Sequence, residues 1–332
     1  MERIASLQHW LQSILGDGPF ALSPASNDAS FRRYFRVRFD DGRASLIAMD
    51  APPGREDCRP YVHAAELFAA AGVHVPAVRA HNLAQGFLLL SDLGDTTYLA
   101  ALGEDNADRL YGDALDALVL IQQASRPGAL PDYSRELLAR ELALFPDWYV
   151  AGQLGRELTA AHRQALEGSF ALVLANNLAQ PRVFVHRDYH SRNLMLADPN
   201  PGILDFQDAV YGPLTYDLVS LLRDAYISWP EERVIHWCIR YWEKARKAGL
   251  PVTADFAAFY RDFEWMGAQR QLKVLGIFAR LCRRDGKDGY LRDQPLVMRY
   301  LRSTCERYIE LRPLARLLDE LEPTERKLGY TF

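Results

Sequence analysis

No lysine precedes Lys244, so any permanent side-chain cation that the earlier part of this 332-residue chain brings to a ligand is an arginine. An excess of basic charge is missing as well. The formal net charge is −4, which provides no overall positive field of the kind that binding a phosphate backbone requires, and nucleic acid is not expected as a partner. Nor is there any run approaching the roughly 18 apolar residues of a membrane span. The segment from Met1 to Leu15 lacks the apolar block of a signal peptide and instead mixes Arg3, Gln8 and His9 with Ile4, Leu7, Leu11 and Ile14 at a helical period. No membrane partner and a cytoplasmic location are therefore expected. The four cysteines, Cys58, Cys238, Cys282 and Cys305, are scattered and form no CxxC pair. They are expected to be reduced, mostly buried thiols rather than zinc ligands or disulfides. Nothing in the sequence sets the oligomeric state.

What is present is apolar mass: 49% of the residues are hydrophobic, and the length exceeds the roughly 100 to 200 residues of a single domain, so two lobes are expected. From Phe20 to Leu90 the chain reads as strands, with Phe31 to Phe39, Ser45 to Asp50 and Phe87 to Leu90 bounded by Gly, Asp, Asn and Pro. One helix interrupts them, Asp57 to Ala71, stopped by Gly72. After Ser91-Asp92-Leu93-Gly94 the texture changes to long amphipathic segments. The expectation is an α+β chain with a sheet-rich nucleotide-binding lobe over 1–93, a hinge near residue 92, and a larger helical lobe over 94–332. A shared ligand would sit in the cleft between them.

The strongest chemical signal lies between Val183 and Asp208. The apolar run Val183-Phe184-Val185 leads into His186-Arg187-Asp188-Tyr189-His190-Ser191-Arg192-Asn193, and a second run, Ile203-Leu204, delivers Asp205-Phe206. Phosphoryl transfer needs a carboxylate to orient the attacking hydroxyl and hard oxygen ligands to hold Mg2+ against nucleotide phosphates. Asp188 is the candidate catalytic residue, acting mainly by positioning, and Asn193 and Asp205 are the candidate metal ligands. The plainer alternative is that these are polar turn residues between strands. His186 is expected to brace the loop from behind rather than touch substrate. Only twelve positions separate Asp205 from Asp217, which leaves no room for the activation segment of a protein kinase.

His186 to Asn193 together with Asp205 resemble the signature of the aminoglycoside phosphotransferase family, H-G-D-x-H-x-x-N. His190 matches the second histidine, Arg187 stands where the family usually has Gly, and Ser191-Arg192 replace its common Pro-Gly. The resemblance implies a two-lobed protein-kinase-like fold, ATP as phosphoryl donor, Mg2+ as cofactor, and a bracing role for Asp217. On the substrate side the candidates are His190, Arg192, Tyr226 and Arg270.

In the small lobe, Ser26, Asn27, Asp28, Ala29 and Ser30 form a turn of small polar residues that either wraps phosphates with backbone N–H groups or is a plain hairpin. The strand ending in Met49 falls where kinases carry V-A-I-K, and Met49 occupies the lysine position. A substitute cation must come from Arg32, Arg33, Arg36, Arg38 or Arg43. Strand alternation groups Arg33 with Phe31, Phe35 and Val37, and an arginine on an apolar face calls for an anion, so Arg33 is preferred and Arg32 is next. Glu66 either pairs with an arginine or is solvated. Leu90, Asp92 and Leu93 form the candidate hinge for the adenine edge.

Within the family, Ser26 to Val37, Met49-Asp50-Ala51-Pro52-Pro53 and Gly267 to Gly276 are most similar to a branch of anomeric amino-sugar kinases of cell-wall (peptidoglycan) recycling. That resemblance implies phosphorylation of the C1 hydroxyl of N-acetylmuramate and N-acetylglucosamine. Arg270, Lys273, Arg280, Arg283, Arg284 and Lys287 follow one another along one segment, which suits an anionic sugar or else is a solvated helix face. Trp148, Tyr149, Tyr226 and Trp229 are candidates for stacking on a pyranose or are core. The alternatives are an aminoglycoside or other small-alcohol phosphotransferase and a silent nucleotide-binding pseudokinase.

Overall fold

The computed structural model describes residues 2–26 and 31–322. In chain order the elements are α1 (Glu2–Leu15), β1 (Phe20–Ser26), β2 (Arg33–Phe39), β3 (Leu46–Asp50), α2 (Arg59–Ala70), β4 (Val78–Asn82), β5 (Phe87–Ser91), α3 (Tyr98–Ala101) and α4 (Ala107–Gln123). There follow α5 (Arg135–Leu144) with a π-helical extension to Gln153, α6 (Ala160–Ala179), β6 (Arg182–Val185), β7 (Leu194–Met195), β8 (Gly202–Ile203) and β9 (Val210–Pro213). The chain ends in α7 (Tyr216–Leu222), α8 (Glu231–Lys247), α9 (Phe256–Asp285), α10 (Gln294–Arg307) and α11 (Arg312–Leu321). No helix among the described residues is long and apolar enough to cross a membrane. All four cysteines are free, and burial pushes the Cys58 thiol up to about 11, which makes it an inert core group.

Two compact units result: residues 1–126 with 186–209, and residues 127–185 with 210–332. The sheet ends at Ser91, close to the expected boundary at residue 93, yet the compact units are cut elsewhere. The reason is that the segment carrying Asp188 and Asp205 is welded to the sheet-bearing unit. From α2, Tyr61 and Phe68 meet the Phe206 ring at 4.9 and 5.7 Å, and Phe68 stacks on His186. The Tyr189 hydroxyl donates to the Ala114 carbonyl at 2.8 Å, and Leu196 N–H donates to the Thr96 carbonyl at 2.8 Å.

The first unit is a five-stranded antiparallel sheet in the order β1-β2-β3-β5-β4. Its outer face is covered by α1, whose Leu7, Trp10 and Leu11 lie at i, i+3 and i+4 and pack on Val37, Ala48, Phe87 and Leu89. Burying each such side chain contributes about 1.5 to 3 kcal/mol. Arg3 of α1 and Arg33 of β2 both pair with the fully buried Asp50 carboxylate, closing this face with a clasp of two cations on one anion. Because side chains alternate along a strand, the residues between these, Tyr34 and Arg36 on β2 and Ile47 on β3, stand on the opposite face.

The second unit is built around the 30-residue α9, against which α5, α6, α7 and α10 pack. At Gly276 a Cβ would stand 2.4 Å from the Leu144 backbone, so only glycine permits this approach of α9 to the end of α5. The basic residues of α9 do not form one exposed face. Lys273 is buried, 3.1 Å from Glu141 and 2.8 Å from the Tyr216 hydroxyl, and Arg270 is buried with its Nε donating to Ser220 Oγ at 2.6 Å. Arg284 pairs with Asp285. A helical turn of about 100° per residue distributes these charges around the axis; of the two inward ones, Lys273 is paired with a carboxylate and Arg270 is hydrogen-bonded to a hydroxyl. The helix α11, absent from the expectation, buries Leu314, Leu317, Leu318 and Leu321, a 3–4 spacing that is present in the sequence.

Candidate active site

Within the first unit the sheet face opposite α1, the hinge and the 186–205 segment enclose a cavity of about 310 Å³. Tyr34, Arg36 and Ile47 line it from the strands, Leu90, Asp92 and Leu93 from the hinge, and Arg192, Asn193 and Asp205 from the loops. The three hinge residues expected at a nucleotide are thus all at the cavity wall. Asp92 also organises the turn: its carboxylate accepts from Arg36 Nε at 2.6 Å, from Ser45 Oγ at 2.7 Å and from the Gly94 N–H at 3.0 Å. Burial alone would raise its pKa, but these hydrogen bonds prevail and hold it below the usual carboxylate range. The same pair, chiefly through its hydrogen bond, raises the Arg36 pKa.

The loop from His186 to Asn193 is held by its own backbone. His190 N–H donates to the Asp188 carbonyl at 3.0 Å, and Asn193 N–H donates to the His190 carbonyl at 2.9 Å. The Asn193 side-chain amide donates to the Asp188 carbonyl at 3.0 Å and stands 3.4 Å from Asp205 Oδ2, so the residues separated by up to seventeen positions meet. Arg187 and Asp205 both adopt left-handed backbone, with φ of 77° and 65°. That conformation accounts for the glycine common at the first position, and Arg187 offsets it by donating to the Asp208 carbonyl at 3.3 Å. Sequence reasoning missed Gln207, whose Nε2 donates to Asp205 Oδ1 at 2.8 Å and orients that carboxylate. No motif marks it, because the contact depends on the turn that Asp205 makes.

His186 braces the loop, as expected. It is fully buried, with Nε2 at 2.9 Å from the Leu204 carbonyl and Nδ1 at 3.2 Å from the Asp188 N–H. The ring therefore carries its proton on Nε2 and ties the Asp188 loop to the strand leading into Asp205. Burial lowers its pKa to about 4, against an ordinary value near 6.5. Between those values the unfolded chain binds more protons than the folded one, so stability is lost as pH falls from 6.5 towards 4, by at most about 1.4 kcal/mol per pH unit. The expected result is a Tm that falls more steeply over this interval in the parent protein than in His186→Gln. Equal slopes would mean that His186 is not held neutral.

Other expected site residues lie elsewhere. Arg33 is corrected: it is not at the cavity wall but on the α1 face, paired with Asp50. The apolar face of β2 is apolar because a helix covers it, and the anion that tolerates an arginine there is a protein carboxylate. Glu66 is exposed on α2. Ser26 closes β1, while Asn27, Asp28, Ala29 and Ser30 lie outside the described residues. His190 is nine-tenths buried within the loop. Tyr226 and Arg270 belong to the second unit and are not among the cavity-lining residues, and Tyr149 is core, its hydroxyl donating to Glu322 at 2.5 Å.

The model of the phosphotransferase enzyme family (APH) matches residues 21–256, a span that holds both the hinge and the Asp188–Asp205 constellation. The chain belongs to the phosphotransferase enzyme family. Among curated proteins, this phosphotransferase is 52% identical to an N-acetylmuramate/N-acetylglucosamine kinase of Neisseria meningitidis serogroup B, over 100% of both chains. It is also 52% identical to a protein of the same description from Pseudomonas aeruginosa, over 96% of this chain and 97% of the relative. Among solved structures it is similar to choline kinase LicA from Streptococcus pneumoniae, with a TM-score of 0.62 at 11% identity, covering 91% of this chain and 100% of that one. ADP-bound aminoglycoside phosphotransferase APH(2'')-Ib gives a TM-score of 0.56 at 14% identity, covering 89% and 97%. At such identities the likeness shows the fold: the phosphotransferase has the two-lobed, kinase-like α+β architecture.

Proposed function

We propose that this phosphotransferase is an ATP-dependent sugar kinase that phosphorylates the anomeric hydroxyl of N-acetylmuramate and N-acetylglucosamine, in the cytoplasm, as a step of peptidoglycan recycling. The observation that carries the catalytic part is the meeting of Asn193 and Asp205 beside the Asp188 loop at a cavity bounded by the hinge. The sugar assignment is supported by full-length relatives at 52% identity that bear that description.

The donor set fits Mg2+. Asn193 and Asp205 are neighbours, the amide nitrogen donating to Asp205 Oδ2 at 3.4 Å, so one amide oxygen and one carboxylate belong to adjoining side chains. Among the described residues no cluster of three or more His, Cys, Asp or Glu forms a closed metal cage. Magnesium takes hard oxygens from one or two side chains and completes its shell with water and substrate phosphates, so a two-residue site suffices. Asn193 and Asp205 would hold it, and it would supply positive charge to offset the negative charge of the nucleotide phosphates. Asp188 would accept the hydrogen bond of the attacking hydroxyl and hold it in line, which needs little basicity because proton loss is late in a loose transition state. Leu90, Asp92 and Leu93 would meet the base, and His190 and Arg192, on the same loop as Asp188, are the first residues to test for sugar contact. Tyr226 and Arg270 follow as substrate candidates in the second unit.

The test is ADP release with ATP, Mg2+ and a panel of acceptors, with the product read by phosphorus NMR. Turnover with N-acetylmuramate or N-acetylglucosamine and a phosphate on C1 is the expected result. Release only with kanamycin-like amines, or with no acceptor at all, would overturn the sugar assignment.

A further inference from the structure

We propose that Gln207 is the positioning residue of the Mg2+ site: its amide holds the Asp205 carboxylate in one orientation, and so sets how tightly the site takes the metal with its nucleotide. This rests on the metal reading of Asp205 given above and adds a residue that acts through it.

Gln207 owes its place to local structure. Phe206 is fully buried against Tyr61 and Phe68 of α2, and the Ala209 N–H donates to the Phe206 carbonyl at 3.0 Å, which closes a tight turn over residues 206–209. The anchored ring and the turn fix the backbone that carries Gln207. Asp205, one residue before the ring, has left-handed backbone, and the two side chains meet: Gln207 Nε2 donates to Asp205 Oδ1 at 2.8 Å. The direction of the amide is set as well. Nε2 carries two hydrogens and lies near two carboxylates, 2.8 Å from Asp205 Oδ1 and 3.5 Å from Asp208 Oδ2, so a flipped amide would set its oxygen against both.

The Asp205 side chain is 33% exposed, so burial alone does not fix it, and a carboxylate turns easily about its last torsion. Arg32 is farther off, with Nη2 4.0 Å from Oδ1, and the Asn193 contact with Oδ2 is 3.4 Å. The Gln207 bond is shorter than either and lies within the ordinary range for an N–H donor. Carboxylates that ligate a metal are themselves held by hydrogen bonds from outside the ligand set, because a carboxylate left to rotate must be reordered before it can ligate. Neutrality matters here too: an acid at position 207 would repel Asp205 and, ionised, could not donate to it.

The experiment measures dissociation constants by calorimetry for Mg·ADP and for ADP in EDTA. The proteins compared are the parent, Gln207→Met, Gln207→Ala, Asp205→Asn and the double variant Gln207→Met/Asp205→Asn. Methionine keeps the length of the side chain and removes the donor. The advantage of Mg·ADP over metal-free ADP is expected to fall about 10- to 100-fold in both Gln207 single variants, with metal-free ADP bound as in the parent. In the Asp205→Asn background the Gln207→Met change is expected to have little further effect, because the residue acts through that carboxylate. An advantage kept in both Gln207 variants, a further loss of about tenfold or more in the double variant, or an equal weakening of both forms of ADP pointing to a purely structural role, overturns the proposal. A parent protein with no advantage for Mg·ADP overturns the metal reading of Asp205 together with it, whereas an unchanged Gln207 variant beside a parent that has the advantage removes the positioning role alone.

Discussion

Asp188→Asn is expected to lower kcat by about 10²- to 10⁴-fold, the range attributed to a positioned acid–base group, with the affinity for Mg·ATP nearly unchanged. The substitution keeps the size of the side chain and removes the charge. It also spares the loop, because Asn193 grips the Asp188 main-chain carbonyl and not its carboxylate, and His186 takes the Asp188 N–H. A loss of turnover can then be assigned to the hydroxyl-orienting role rather than to unfolding. Turnover within a few-fold of the parent, measured at saturating sugar and nucleotide, would remove Asp188 from the mechanism.

Asp205→Asn is expected to produce a loss on the order of 10³-fold or more, since a metal clamp on transferring phosphate supplies several kcal/mol and each 1.4 kcal/mol is about tenfold. Asparagine is the informative replacement because Asp205 has a φ of 65°, a conformation that asparagine tolerates well and most other residues do not. The Gln207 hydrogen bond to Oδ1 also has an acceptor in the variant. The two acids should separate in their signatures: Asp205→Asn shifts the Mg2+ requirement to higher concentration, whereas Asp188→Asn leaves it in place. A Mg2+ titration of kcat distinguishes them, and an unshifted titration in Asp205→Asn would exclude it as a ligand.

The physical reasons differ for what was legible in the sequence and what was not. Strands and helices followed from periodicity, because side-chain direction repeats every two or 3.6 residues and the buried face must be apolar. Thus β2, β3, β5, α2 and most of the long helices lie close to where the pattern places them. The proximity of the Asp188 loop, Asn193 and Asp205 was legible because short loops fix relative positions: Asp188 and Asn193 share one turn, and Asp205 follows the second of two short paired strands. Arg33 shows the limit. Alternation correctly separated Arg33 from Arg32 and Arg36, but periodicity says only that two faces differ, and it does not say which is covered by a helix and which faces a ligand. The cover, α1, is distant in sequence from the strand it covers.

The same limit applies to the basic residues of α9. Their one-dimensional clustering suggested a charged surface, whereas Lys273 and Arg270 are buried against Glu141, Tyr216 and Ser220, partners contributed by α5 and α7. Order along the chain therefore determined the element types and the tight loop that joins Asp188 to Asn193, since each depends on residues close enough for local geometry to relate them. Only the tertiary structure decided which face of β2 meets the cavity, which arginine stands beside Asp205 and which charges of α9 are spent internally. Those outcomes depend on which distant surfaces meet, and burial and charge pairing are properties of that meeting rather than of any one segment.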